Sequence, residues 1–141
     1  MMSETKRQQI LAKIKEIILT VSVIKAVEIN KTSAIDIETI ALPCAFIYSS
    51  ACTKIGDDRA VIGYENWEWL IDCEVWSDER NDQENLLGLI HAAMVADYTL
   101  SGLAVTSDLI GSDLFVLDPT RSLSSMVLNF SVIYRHKKGI P

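Results

Sequence analysis

Two acids on one predicted strand are the residues best suited to chemistry. Asp72 and Glu74 flank Cys73, and their spacing places both carboxylates on the same strand face. Such a pair can act as general acid and base when a cleft encloses it. Acids on the outward face of a strand are normally solvated, and the chain has no nucleophile motif, Walker loop or dinucleotide-binding glycine pattern. We therefore expect that the protein is not an enzyme.

The two histidines do not complete a catalytic set. His91 falls on the flank of a predicted helix, beside its apolar stripe, and His136 falls in a basic tail that we expect to fray. A general base needs a partner and an accessible position. A small α+β enzyme or ligand-binding protein stays an alternative, and a concave pocket that unites Asp72, Glu74 and His91 would favour it.

Metal and cofactor binding are not predicted. The three cysteines, Cys44, Cys52 and Cys73, form no C-x-x-C pair, and no histidine stands at metal-ligand spacing from them. Asp57 and Asp58 are adjacent acids in a predicted loop, whereas a hard cation needs several converging oxygens. An odd number of cysteines is typical of free thiols in a reducing compartment.

Composition and charge narrow the class of protein further. The 141 residues are 49% hydrophobic and 23% charged, which predicts one globular domain over residues 1–141. The formal net charge of -6 disfavours binding to nucleic acid or anionic membranes by long-range attraction. Lys13, Lys15 and Glu16 interrupt the apolar run near the N-terminus, so we expect neither a signal peptide nor a membrane span.

The element that positions the acid pair is a strand that contains every tryptophan of the chain. Residues 67–76 alternate with the period of a half-buried strand, and Trp67 and Trp69 are expected to anchor the core. The opposite face is acidic, but it also carries Leu70 and Trp76, two apolar groups that a solvated face does not need. We expect a partner to cover them.

The other elements follow from periodicity and turn residues. Helical spacing predicts helices over residues 3–20 and from Asn81 to about residue 96, with Thr5 or Ser3 as the first N-cap. Alternation and turn signals predict strands at 21–29, 44–50, 67–76, 114–117 and 125–135, a weak strand or loop at 35–40, and a break at Gly111. The predicted fold is α+β, in the order α-β-β-β-α-β-β. It has a mainly antiparallel sheet and both helices on one face.

Several short motifs occur in a recognisable order. An opening amphipathic helix (RQQILAKIKEIIL) precedes a Leu42-Pro43 step into an aromatic strand, then a Trp-bearing strand (NWEWLIDCEVW). A helix ending in the turn DYTLSG and a closing strand with FSVIYR complete the series. In this order and total length the chain resembles the bacteriophage tail terminator or tail completion proteins, the group that includes the minor tail protein U of lambda-like phages.

The resemblance implies a structural role in the virion tail, with assembly in the cytoplasm of a bacterial host. Proteins of this family form a ring, commonly a hexamer, that caps the head-proximal end of the tail tube, halts its polymerisation and offers a docking surface to the head–tail connector. The implied partners are further copies of the chain, the tail tube protein and the connector. DNA only passes through the channel, and neither a cofactor nor a membrane is implied.

That role suggests positions for residues of this sequence. Leu70 and Trp76 would lie at the subunit interface. Three acids, Glu68, Asp72 and Glu74, would face the channel, where negative charge lets DNA slide without sticking. The loop with Asp57, Asp58 and Arg59 would contact a partner. Another neck or baseplate component of the same particle stays an alternative.

Overall fold

The computed structural model describes residues 5–30, 41–55, 63–78 and 82–137, which form two helices and five strands. The helices are α1 (Lys6–Leu19) and α2 (Gln83–Ala96). The strands are β1 (Ala26–Ile29), β2 (Cys44–Ile55), β3 (Tyr64–Ser77), β4 (Thr106–Asp118) and β5 (Leu123–Lys137). A short 3-10 turn, Pro119–Arg121, joins β4 to β5.

The strands form one sheet in the order β1-β2-β3-β5-β4. Strands β1 and β2 are parallel, and every other neighbouring pair is antiparallel. The tryptophan-bearing strand β3 lies beside β5 along its whole length, from the pair Tyr64 and Lys137 to the pair Ser77 and Ser124. This arrangement confirms the predicted α+β class, the element order and the mainly antiparallel sheet.

Both helices pack on the same face of the sheet, as predicted. The apolar stripe of α1 includes Ile10, Ile14 and Ile18, and that of α2 includes Leu86 and Ile90. Each of these side chains is at most 1% exposed. They join one core cluster with the inward side chains of the central strands, namely Trp69, Ile71, Cys73, Val75, Met126, Leu128, Phe130, Val132 and Tyr134. The alternation of β3 and β5 therefore decides which side of the sheet the helices cover.

Capping residues set where each helix begins. Thr5 and Gln8 form the predicted capping box, because the Thr5 hydroxyl accepts from Gln8 N while Gln8 Oε1 accepts from Thr5 N. Helix α2 begins one residue later than predicted, with Asp82 as its N-cap, because Asp82 Oδ1 accepts from Glu84 N at 2.9 Å. The predicted cap Asn81 and the alternative cap Ser3 lie outside the described residues.

Three sequence predictions about strands are wrong. Gly111 does not divide β4, because the shift of register between Leu109 and Gly111 absorbs Ile110 as a bulge within one 13-residue strand. Strand β2 continues to Ile55 rather than ending near residue 50. His136 lies in β5 rather than in a frayed tail, since it pairs with β3.

Two further points concern the predicted weak strand or loop at 35–40 and the length of the helices. The weak strand at 35–40 lies outside the described residues. No described helix is both long and apolar enough to cross a membrane.

Candidate functional site

The outward face of the sheet, opposite the helices, carries the predicted channel-facing acids. Glu68, Asp72 and Glu74 are all half-buried on β3. Each accepts a hydrogen bond from β5: Ser131 Oγ donates to Glu68 Oε2 at 3.2 Å, Asn129 Nδ2 donates to Asp72 Oδ1 at 2.7 Å, and Ser125 Oγ donates to Glu74 Oε1 at 3.1 Å. The acids thus form a row whose positions are held by a neighbouring strand. Whether they face a channel stays a prediction.

The two apolar residues of this face differ in their surroundings. Trp76 is only 7% exposed, because it packs with Cys44 and Phe46 in a small cluster against which Leu42 and Tyr48 are also packed. Its Nε1 donates to Glu74 Oε1 at 2.7 Å. The chain itself therefore covers most of the indole that a neighbouring subunit was expected to cover. Leu70 is half-buried on the same face, and the predicted interface depends mainly on it.

The predicted partner-contact loop with Asp57, Asp58 and Arg59 lies outside the described residues. Elsewhere, the residues that the structure describes contain no group of three or more His, Cys, Asp or Glu side chains that could hold a metal ion. His91 is exposed on α2, on the helix side of the sheet. The sheet separates it from Asp72 and Glu74, so these three residues do not form the pocket that the enzyme alternative requires.

Two of the three thiols, Cys44 and Cys73, are unreactive near neutral pH. Burial, together with the nearby carboxylates of Glu74 and Asp72, raises the pKa of Cys73 to about 12. Burial, with Glu28 and Glu74, likewise raises the pKa of Cys44 to about 12. Both groups are therefore protonated thiols near neutral pH, and neither is suited to nucleophilic catalysis.

A cleft at the start of α1 is a concave feature that sequence analysis missed. It has a volume of about 610 Å³, within the range of small-molecule sites, and lies between α1 and the ends of β2, β3 and β5. Aromatic side chains line it: Trp67 and His136 stack with ring centroids 6.0 Å apart, and Tyr134 stacks on His136 at 5.8 Å. The Arg7 guanidinium lies 4.3 Å from the centre of the Trp69 ring.

Polar groups in this cleft are close to one another. Cys52 Sγ and Tyr134 Oη are 3.6 Å apart, and burial with this contact raises the pKa of Tyr134. The hydrogen bond from Trp67 Nε1 to Glu65 Oε2 lowers the pKa of Glu65, and Lys54 and His136 add to that effect. The signal that sequence analysis could have used is the continued alternation of β5 through Tyr134 and His136.

The edge strand β4 carries more exposed large apolar side chains than any other described element. Five of its large side chains are exposed, between 37% for Leu117 and 69% for Val116, and the others are Ile110, Leu114 and Phe115. The other side of β4 is bonded to β5, whereas no described strand pairs with its outer side. Long apolar edges of this kind readily pair with another chain. Sequence analysis missed this surface because it divided β4 at Gly111.

Comparison with known protein families and with curated proteins finds no match for this chain. Among solved structures, the chain is similar to one described as "Virion of native gene transfer agent (GTA) particle". The alignment covers 94% of this chain and 92% of that chain, with 10% sequence identity and a TM-score of 0.40. At this level the likeness assigns no family and no function.

Proposed function

We propose that this protein is a structural component of a phage or prophage tail. It forms a ring at the head-proximal end of the tail tube, stops tube polymerisation and presents a surface for joining the head. The observation that carries the proposal is the apolar edge strand β4, with Ile110, Leu114, Phe115 and Val116 each more than half exposed. An edge of this kind is a liability for a protein that works alone and a contact surface for one that assembles.

Two further features support assembly rather than catalysis. The acids that sequence analysis singled out, Asp72 and Glu74, are held by Asn129 and Ser125 on a sheet face, and His91 lies on the other side of that sheet. The order of motifs along the sequence resembles that of tail terminators, whose role is to form such a ring. The proposed partners are further copies of this chain, the tail tube protein and the connector, and the channel passes DNA without binding it.

Native mass measurement tests the proposal directly. The purified chain is measured by native mass spectrometry and light scattering over a wide concentration range, alone and with tail tube protein. We expect a closed ring of one defined mass, and we expect added ring to shorten tubes that polymerise in its presence. A strict monomer under all these conditions would contradict the proposal.

Two other functions are distinguished by separate measurements. A neck or baseplate component would be seen at a different position when a tagged copy is located on tails by electron microscopy. A ligand-binding role is favoured only by the aromatic cleft beside Arg7 and His136. A small molecule that enters it would change the fluorescence of Trp67 and Trp69, which line the cleft.

A further inference from the structure

Charge is unevenly distributed across the sheet. Residues 82–118, which comprise α2, the following turn and β4, contain six acids and no lysine or arginine. The six acids are Asp82, Glu84, Asp97, Asp108, Asp113 and Asp118. Strand β4 is at one edge of the sheet, and helix α2 packs against it, so this acidic segment lies at that edge. We call it the acidic edge.

The opposite edge of the sheet, at β1, is basic. Helix α1 packs against β1, and the described residues 5–30 and 41–55, which comprise α1, β1 and β2, carry six cations and two acids. The cations are Lys6, Arg7, Lys13, Lys15, Lys25 and Lys54, and the acids are Glu16 and Glu28. Lys25 directly precedes β1, and Lys54 lies in the part of β2 that extends beyond β1, where it is 55% exposed and its Nζ is 3.5 Å from Glu65 Oε1 on β3. We call this end the basic edge.

We infer that the acidic edge of one copy of this chain binds the basic edge of the next copy, with β4 extending the neighbouring sheet. This inference rests on the proposed ring and names the surfaces that form it. Opposite charges at the two edges attract and orient the copies, and the exposed side chains of β4 supply the apolar contact. Because the two surfaces differ, the contact is heterologous, which forms a ring when the rotation between successive copies closes.

Strand directions agree with this contact. Strands β2, β3, β5 and β4 alternate in direction across the sheet, and β1 runs parallel to β2. When a second copy is placed beside the first in the same orientation, its β1 and β2 therefore run opposite to β4. The backbone groups on the outer side of β4 can then form antiparallel hydrogen bonds with the neighbouring edge.

Pairing of two acidic edges with each other is the competing arrangement. A two-fold contact of β4 with β4 would bury the same apolar side chains, but it would bring Asp108, Asp113 and Asp118 toward the same acids of the partner. No lysine or arginine in β4 can compensate for them. Like charges brought close to each other oppose pairing, so this arrangement is disfavoured relative to the contact of an acidic with a basic edge.

Charge reversal at each edge tests the inference. The acidic-edge variant carries Asp108→Lys and Asp113→Lys, and the basic-edge variant carries Lys25→Glu and Lys54→Glu; all four side chains are exposed. Sedimentation velocity at low and high salt measures assembly, and circular dichroism checks that each variant is folded. Each variant alone should need at least about a tenfold higher concentration for half-assembly, since the reversed residues remove much of the charge attraction at every contact.

The mixture of the two variants is the decisive measurement. In the mixture, the lysines introduced in one variant can meet the glutamates introduced in the other, while the unchanged edges pair as in the wild type, so rings with equal numbers of both variants should form. Lys137→Glu is the matched control, because it changes net charge by the same amount as one basic-edge substitution but lies exposed on β5, outside both edges, and should leave assembly intact.

Each contrary result has a distinct meaning. If the wild-type chain assembles and either variant alone assembles equally well, the inference is wrong while the proposed ring remains. A mixture that stays monomeric, or that stops at dimers of one copy of each variant, also overturns head-to-tail pairing of the two edges. If the wild-type chain itself stays monomeric with and without tube protein, both the proposed function and this contact are refuted.

Discussion

The indole of Trp76 packs edge-on against the ring of Phe46, with 5.4 Å between ring centroids and 65° between ring planes. Phe46 is 1% exposed and Trp76 7%, although both lie on the outward face of the sheet. The antiparallel register of β2 and β3 brings them together, because Phe46 pairs with Glu74, two residues from Trp76. The outward face therefore has an apolar cluster of its own, which stabilises the subunit before any assembly.

Alanine substitutions at two phenylalanines should distinguish an effect on the stability of the fold from an effect on assembly. Phe46→Ala removes a side chain from the outward cluster and should lower the free energy of unfolding by about 3 kcal/mol. Phe115→Ala, on the exposed part of β4, should change it by less than about 0.5 kcal/mol but weaken ring formation. Urea denaturation and native mass measure the two effects. Equal stability losses for both variants would contradict the burial assigned to Phe46.

Leu70→Ser tests the interface that sequence analysis predicted on the outward face. Leu70 is half-buried, so the variant should stay folded, and ring formation should weaken if a neighbouring copy covers this position. Trp76→Ser cannot serve the same purpose, because its indole stabilises the subunit itself. If Leu70→Ser assembles as the wild type does, this face is not part of the interface.

Glu74 links the outward cluster to β5 by accepting from Trp76 Nε1 and Ser125 Oγ through the same oxygen. Glu74→Ala leaves both donors without this acceptor and should destabilise the fold by about 1 to 3 kcal/mol. Glu74→Gln retains an acceptor oxygen on a side chain of the same length, so it should lower the free energy of unfolding by less than the alanine variant does. Chemical denaturation of the three proteins checks the order, and equal losses for both variants would show that these bonds contribute little.

The turn after α2 should weaken in acid. Ser101 N and Ser101 Oγ donate to the Asp97 carboxylate, and the backbone bond is the main cause of its lowered pKa. Because the pKa of Asp97 is lower in the folded state, these hydrogen bonds contribute fully to stability above the ordinary value of 3.8. Their contribution is lost as pH falls through the lowered pKa. The stability difference between wild type and Asp97→Ala should therefore shrink below about pH 4. A difference that is constant from pH 7 to pH 2 would contradict this assignment.

Thiol labelling probes the aromatic cleft. Cys44 and Cys73 are buried and their pKa values are raised to about 12, whereas Cys52 is half-buried and lines the cleft. In the folded protein an alkylating reagent should modify Cys52 first, and all three thiols should react after denaturation. Cys52→Ala should abolish the early reaction, which mass spectrometry detects. Early labelling of Cys73 would contradict its burial.

Periodicity was sufficient to predict much of the fold. The alternation in residues 67–76 correctly assigned the inward and outward faces of β3, and the alternation in residues 125–135 correctly predicted the long strand β5. Helical spacing and the Thr5–Gln8 capping box predicted α1. These signals are local, since each depends on residues a few positions apart. The break expected at Gly111 was wrong because pairing with β5 accommodates a bulge that local residue preferences do not reveal.

The sequence by itself determined which residues alternate, which stripes are apolar, and that one long segment lacks any cation. Only the tertiary structure decided that this segment borders one edge of the sheet while most cations border the other, and that Trp76 is covered by Phe46. The physical reason is that edge position, mutual burial and charge separation depend on strand order. Strand order is set by contacts between residues far apart in the chain.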